Sequence, residues 1–260
     1  MIASFPFIVS SFDPDARSFV NTSGAADRAV INYFVKGIKR LGLWDDMVCW
    51  PLRSAQNAGT GSTAYSLGGL GTYNGTLVNG PTWGIDGVNF TDGTNQSIQT
   101  ALTLTSSEDH IYYTAIQCNP EGIEFNIVGS TRNGSSGGYT YASNVFGNFR
   151  SQLWDIGGNH VFVTSSAITD GTYHSAVYKT KISTAIKQTA LIIDAGSESS
   201  ASGTITQDSP NSFKIGEEAG IGRSFNGNFP FAAFFKNYDA SIAEINALYK
   251  STLGQGLGLP

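Results

Sequence analysis

Between residues 86 and 236 the chain reads as about eleven short runs rich in Val, Ile, Thr, Tyr and Phe, separated by Gly, Asn, Asp and Ser clusters. The runs lie near 86–90, 97–104, 110–117, 123–129, 139–149, 151–156, 160–165, 172–180, 186–194, 212–216 and 229–236. No helix-period segment intervenes, which excludes the alternation of strand and helix that a parallel α/β sheet requires. The pattern predicts an all-β fold, a two-sheet antiparallel jelly-roll sandwich. Within it, His110-Ile-Tyr-Tyr-Thr-Ala-Ile-Gln117 has adjacent aromatics where a half-buried strand would alternate, so both of its faces are expected to be covered.

Composition narrows the function classes. Charged residues are 13% of the chain and the net charge is −5, with no block of like charge, so binding to nucleic acid through a basic surface is not expected. Hydrophobic residues at 40% supply a core despite 31 glycines in 260 residues, which argues against disorder. No apolar stretch approaches the ~20 residues of a membrane helix, and the start has neither a basic segment nor a long apolar one, so neither membrane insertion nor export is expected. Cys49 and Cys118 have no paired ligand spacing and are expected as reduced, packed thiols.

The flanks differ from the middle. Residues 1 to about 22 form an apolar arm containing Ile2, Phe5, Phe7, Ile8, Phe12 and Phe19, with little periodicity. Leaving Phe5, Phe7, Ile8 and Phe12 in water forfeits roughly 1.5–3 kcal/mol each relative to burial, so the arm must dock on a neighbour or fold back on its own domain. Residues 24–42 read as a helix capped by Ser23 or Gly24, with Ile31, Phe34, Ile38 and Leu41 at helical spacing and Gly42 at its end. The Gly, Ser and Thr-rich stretch from Asn57 to Gly75 reads as a long loop. Ser241-Ile-Ala-Glu244 has the spacing of a capping box and predicts a short closing helix, followed by a free tail over 254–260. The simplest division is an arm and helix over 1–55 and a sandwich over 56–260.

Three segments in order resemble the laminin-G-like members of the concanavalin A-like lectin/glucanase superfamily. They are Asn74-Gly-Thr-Leu-Val-Asn-Gly-Pro-Thr-Trp83 with Gly87-Val-Asn-Phe90 following; Gly171-Thr-Tyr-His174 with Leu191-Ile-Ile-Asp-Ala-Gly196; and Phe225-Asn-Gly-Asn-Phe-Pro-Phe231 running into Ser241 to Tyr249. The chain departs from that pattern at Tyr173, where the family has Trp, and at Ala195, which separates the family's paired aspartate and glycine. Ala26 to Asn57, with Gly-Leu-Trp44-Asp-Asp-Met47 and Trp50-Pro-Leu-Arg53, is similar to leaders on laminin-G-like proteins of tailed bacteriophages. This resemblance implies a virion component made in the host cytoplasm: a capsid decoration, head-fibre or tail protein. Its implied partners are other virion proteins and further copies of the chain, reached through the arm.

The superfamily includes glycosidases and calcium-binding members, so the resemblance raises both chemistries. A catalytic strand would carry carboxylates two apart, on one face. Glu108-Asp109 and Glu217-Glu218 are adjacent, and Glu121 and Glu124 are three apart, so no enzyme is expected. His110, His160 and His174 stand in no metal-ligand or nucleophile motif. No cofactor is expected; Asp86, Asp92, Asn95 and Asp208 are candidate calcium ligands, although their spacing suits ordinary turns. For a cell-surface glycan, the densest aromatic group is Tyr139, Tyr141, Phe146, Phe149 and Trp154, of which Tyr139, Tyr141 and Trp154 are the leading candidates for stacking on sugar.

Overall fold

Two antiparallel eight-stranded sheets face one another. The computed structural model describes residues 11–260 apart from 92–93, 105–107, 120–124, 132–137, 146–147, 156, 168–170, 207–211 and 219–222. The front sheet runs Ser199–Gly203, Lys187–Ile193, Tyr173–Lys181, His110–Cys118, Gly227–Phe235, Val88–Phe90 and Thr82–Trp83, with Met47–Pro51 also pairing on Gly227–Phe235. The back sheet runs His160–Ala167, Asn148–Trp154, Gly138–Val145, Phe125–Ser130, Ser212–Ile215, Ser97–Thr103, Gly75–Val78 and Thr63–Ala64. All pairings are antiparallel, as the short runs and turn clusters predict.

The adjacent aromatics of His110–Cys118 are explained by what covers each face. Tyr112 points between the sheets, where its ring lies 4.9 Å from Phe234 and 5.0 Å from Phe213. Tyr113 points the other way, into a second apolar cluster formed with the helices, and donates its hydroxyl proton to Asn246 Oδ1 at 2.7 Å. A strand buried on both faces has no solvent side to mark with polar residues.

Three helices cover the outer face of the front sheet: α1 (Pro14–Ser23), α2 (Arg28–Arg40) and α3 (Ile242–Ser251). The apolar arm is therefore shorter than expected, because α1 begins inside it. Asp13 caps α1 by accepting from the Asp15 N–H at 2.9 Å, Pro14 sets the first turn, and Gly24 closes the helix in the left-handed region at φ 76°. The single helix expected over 24–42 instead starts at Arg28, since Gly24 ends a preceding helix and does not cap a following one. Lys39 binds Asp13 at 2.8 Å and Asp15 at 2.5 Å, tying α1 to α2. Burial opposes ionisation of Asp13, but the hydrogen bond and charge of Lys39 together with the N–H groups of Asp15 and Ala16 outweigh it and hold the carboxyl below its usual range.

The boundary expected at residue 55 crosses continuous structure, because Met47–Pro51 is a fully buried strand of the front sheet. The stretch after it is less of a loop than its composition suggests. Asn57, 1% exposed, donates from Nδ2 to the carbonyls of Pro51 and Tyr65, and its Oδ1 accepts from the amides of Ala58 and Tyr65. Leu67 then exchanges both backbone bonds with Cys49, at 2.7 and 2.8 Å. The C-terminal tail is also held: Gln56 and Arg53 donate to the Leu253 carbonyl, Arg53 reaches Gln255, and Leu257 is buried against the helices. Ser241 caps α3 as predicted, accepting from the Glu244 N–H.

Candidate functional site

The back sheet has a different outer face. Pairing partners lie on one side of a sheet, so a single row can be followed across all eight strands: Phe162, Gln152, Thr140, Ser130, Lys214, Gln99, Thr76 and Thr63. Every member is polar except Phe162, on the edge strand, which is 42% exposed. Along Asn148–Trp154 the alternation is clear: Phe149, Ser151 and Leu153 are buried between the sheets, while Arg150 and Trp154 stand on the outer side.

These positions assemble a strip. Trp154 is half-buried and pairs with His160, their ring centroids 4.6 Å apart, and His160 lies 5.3 Å from Phe162. The Arg150 guanidinium sits over the Phe162 ring at 4.6 Å from its centroid. The turn that sets this register is closed by Asp155, whose carboxylate accepts from the Asn159 N–H at 2.7 Å and from Asn159 Nδ2 at 2.9 Å. The Asn159 side chain holds the Asp155 carboxyl below its ordinary range, so the clamp stays charged at neutral pH. The result is a row of rings and a cation at the sheet edge.

The expected glycan residues divide accordingly. Trp154 belongs to the strip. Tyr141 does not: it is wholly buried between the sheets, stacked 5.3 Å from Tyr112 and hydrogen-bonded to His110 and Thr180. Phe149 is likewise core. The Tyr139 side chain and Phe146 lie outside the described residues, as do Ile2, Phe5, Phe7 and Ile8 of the arm. Phe12 is described: it packs on the helix cluster, with the Arg28 guanidinium 5.8 Å from its ring. Phe162, His160 and Arg150 were missed, although period-two spacing places His160 with Phe162 on one strand and Arg150 with Trp154 on the next.

The other titratable groups serve the fold. His110 is buried against Tyr141 Oη at 2.8 Å and the Glu108 carbonyl at 3.1 Å. A carbonyl only accepts, so Nδ1 carries the proton and Nε2 accepts from Tyr141; burial pushes the imidazole pKa down to about 4. His174 Nδ1 lies 2.7 Å from Asp194 Oδ2, and the other Asp194 oxygen accepts from the Ser175 N–H, fixing the turn after Lys187–Ile193 against Tyr173–Lys181. Cys49 and Cys118 are buried and form no disulfide, and burial raises the Cys49 thiol well above its usual pKa. Of the candidate calcium ligands, Asp86 faces Arg53 at 3.6 Å and the Asn95 carbonyl accepts from Asn79, while Asp92 and Asp208 lie outside the described residues. Among the described residues no group of three or more His, Cys, Asp or Glu side chains could hold a metal ion, and no helix is long and apolar enough to cross a membrane.

No family model and no curated protein matches the chain. Solved structures do. Trypanosoma rangeli sialidase in complex with the inhibitor DANA matches with a TM-score of 0.58 at 9% identity, over 88% of this chain and 39% of that one. The Ruminococcus gnavus IT-sialidase CBM40 bound to α2,3-sialyllactose matches with a TM-score of 0.45 at 11% identity, over 63% of this chain and 96% of the module. Domain 4 of a GH43 extracellular arabinanase from Geobacillus stearothermophilus, in complex with arabinotriose, gives 0.46 at 13% identity, over 78% and 87%. The likeness is one of fold: a two-sheet antiparallel jelly-roll sandwich.

Proposed function

We propose that the chain is a nonenzymatic carbohydrate-binding sandwich that takes a surface polysaccharide along the Trp154, His160 and Phe162 strip. The observation that carries this reading is the strip itself: rings laid side by side on the outer face of a sheet whose transverse row is otherwise polar. Aromatic faces stack on the C–H faces of sugar rings, and the neighbouring Arg150 guanidinium offers hydrogen-bond donors to hydroxyls. The outer face of the front sheet is occupied by the chain's own helices, whereas Phe162 at the edge of the back sheet is 42% exposed. The test is a glycan array and affinity electrophoresis in polysaccharide gels with the full chain and with Trp154→Ala. Binding that weakens at least tenfold in the variant, with unchanged circular dichroism, supports the reading; equal binding by both proteins, or no polysaccharide retained by the natural chain, removes it.

A second reading concerns where such a domain is displayed, and it rests on the resemblance of Ala26 to Asn57 to the leaders of phage-encoded laminin-G-like proteins. It makes the chain a virion component made in the host cytoplasm, assembled with other virion proteins or with its own copies. Peptide mass spectrometry of gradient-purified virions, scaled to the major capsid protein, tests it. Hundreds of copies indicate a head decoration, a few to tens indicate a fibre or tail part, and absence sinks the reading.

A further inference from the structure

A pocket of about 250 Å³ opens between α1 and the segment over 65–74, apart from the strip on the back sheet. Asp15, Ser18, Phe19 and Thr22 line it from α1, at the spacings of three and four that place residues on one helix face. Phe19 is buried and gives the pocket apolar surface, whereas Ser18 and Thr22 are exposed and bring hydroxyls. Tyr65, Thr72 and Asn74 line the other side, and half-buried Trp44 completes it. That side is fixed by backbone contacts: Leu67 pairs with Cys49, a Cβ on Gly68 would stand 2.1 Å from the Met47 carbonyl oxygen, and the Gly69 N–H donates to the Trp44 carbonyl at 2.9 Å. Asn74 Oδ1 accepts from the Ser66 N–H at 2.9 Å, and Ser66 Oγ accepts from the Tyr73 N–H at 2.8 Å. On the α1 side, Lys39 binds Asp13 and Asp15 and its ammonium lies 5.0 Å from the centre of the Trp44 ring. Walls held in this way spend little ordering entropy on a ligand.

Size and chemistry together select the ligand. The volume is below the roughly 300–1,000 Å³ of sites for drug-sized molecules, so the pocket takes one small ring and not a chain of them. Trp44 and Tyr65 supply aromatic surface, the hydroxyls of Ser18, Thr22 and Thr72 both donate and accept, and Asn74 Nδ2 remains a donor beside its engaged oxygen. A pyranose has the matching parts, C–H faces and a rim of hydroxyls. Charge narrows the class further. Asp15 is the one charged side chain among the lining residues, and Lys39 already holds it. An acidic sugar would bring a second carboxylate towards Asp15 with no lining cation to pair with, so the pocket discriminates against it.

We propose that the pocket between α1 and the 65–74 segment binds a single neutral sugar residue, held by Trp44, Tyr65, Asn74 and the hydroxyls of α1. This site is separate from the back-sheet strip and does not depend on it. The chain has four tryptophans, so the indole N–H signals of the 15N-labelled full chain, assigned with Trp44→Phe and Trp154→Phe, read the two sites independently. The probes are the methyl glycosides of glucose, galactose, mannose and N-acetylglucosamine, with methyl glucuronide as the acidic counterpart. At least one neutral glycoside should move the Trp44 signal saturably, with a Kd of the order of 1 mM, the scale for a ligand of about a dozen heavy atoms. The glucuronide should bind at least tenfold more weakly. Ser18→Phe, which fills the pocket from an exposed helix position, should weaken the neutral glycoside at least tenfold while the other indole signals stay in place; Thr22→Phe, one turn on, repeats the test from a second exposed position. A Trp44 signal that no neutral glycoside moves overturns the proposal, as does equal binding of the glucuronide or an unchanged Kd in both filled variants. A shift confined to Trp154 overturns it and leaves the strip standing, whereas a Trp44 shift in a chain that retains no polysaccharide supports it and removes only the strip.

Discussion

The two sheets have the same number of strands and the same antiparallel pairing, yet they spend their outer faces differently. The front sheet is covered by α1, α2 and α3, so strands such as His110–Cys118 and Gly227–Phe235 are apolar on both sides. The back sheet has a row of Thr, Ser, Gln and Lys on its outer side, of which Gln152, Thr140 and Ser130 are buried, and among the described residues the aromatics of that side stand at the Trp154 to Phe162 edge. A sheet face can carry large rings for two reasons, because something of the same chain covers them or because something else will. The helical layer supplies the first reason at the front; the glycan proposed for the strip supplies the second at the back.

If the helical layer is as integral as the space between the sheets, deleting a ring from either should cost alike. Phe34 of α2 is 1% exposed and packs edge-on to Phe231 at 5.8 Å; Phe213 is fully buried between the sheets, 4.5 Å from Phe234. Phe34→Ala and Phe213→Ala are each expected to lose about 3–5 kcal/mol in guanidinium denaturation. A loss below about 1 kcal/mol for Phe34→Ala alone would make the helices an accessory to an independent sandwich.

The next effect is confined to the core between the sheets and depends on pH. His110 titrates near 6.5 when unfolded and at about 4 when buried, so the folded state resists a proton that the unfolded state accepts. Its contribution is fully present above pH 6.5 and is lost as the pH falls towards 4, by roughly 3 kcal/mol in total. Denaturation curves at pH 7, 5.5 and 4 for the natural chain and His110→Gln should diverge: the slope between pH 6.5 and 4 should be shallower in the variant. Parallel slopes would place the acid sensitivity elsewhere.

The back sheet from Ser97 onwards and the middle of the front sheet were legible in sequence because their strands carry β-branched and aromatic runs between turn clusters, whereas Thr63–Ala64 lies in a Gly, Ser and Thr-rich stretch that reads as a loop. What escaped detection has a physical reason in each case. Ser199–Gly203 is an edge strand of small polar residues with almost no β propensity, held by its neighbour Lys187–Ile193. Met47–Pro51 is too short and too uniformly buried to show a period. The start of α1 is marked by Asp13-Pro14, a cap followed by proline, but its apolar residues continue an apolar arm of little periodicity. At the candidate site, counting aromatics by proximity in sequence mixed the two faces of the sheet, placing buried Tyr141 beside outward Trp154. Following every second residue, and then the hairpin through Asp155 and Asn159, separates them.

A smaller effect tests the free edge of the front sheet. The turn from Ile193 to Gly196 holds two successive non-glycine residues in the left-handed region, Asp194 at φ 51° and Ala195 at φ 56°. Asp194 is retained there by its bonds to His174 and the Ser175 amide, whereas Ala195 has no side-chain polar group with which to offset the strain. Ala195→Gly should stabilise the chain by about 1 kcal/mol, the relief of left-handed strain less the added freedom of the unfolded glycine. A destabilised variant in thermal denaturation would mean that the methyl group packs usefully at this edge.

The smallest stability effect falls on the residue with the largest proposed role. Phe162 lies on the edge strand of the back sheet, exposed by 42%, and its principal polar neighbour is the Arg150 guanidinium over its ring. Removing that contact at an exposed site costs about 0.5 kcal/mol, far less than emptying the core behind it. Phe162→Ser should therefore leave the denaturation midpoint almost unchanged while weakening retention in polysaccharide gels by at least tenfold. Phe213→Ala supplies the reverse pattern, with a large loss of stability and, in the fraction still folded, unchanged retention. If Phe162→Ser instead destabilises the chain by several kcal/mol, the strip is part of the packing and the back sheet, like the front, has its rings covered by its own chain.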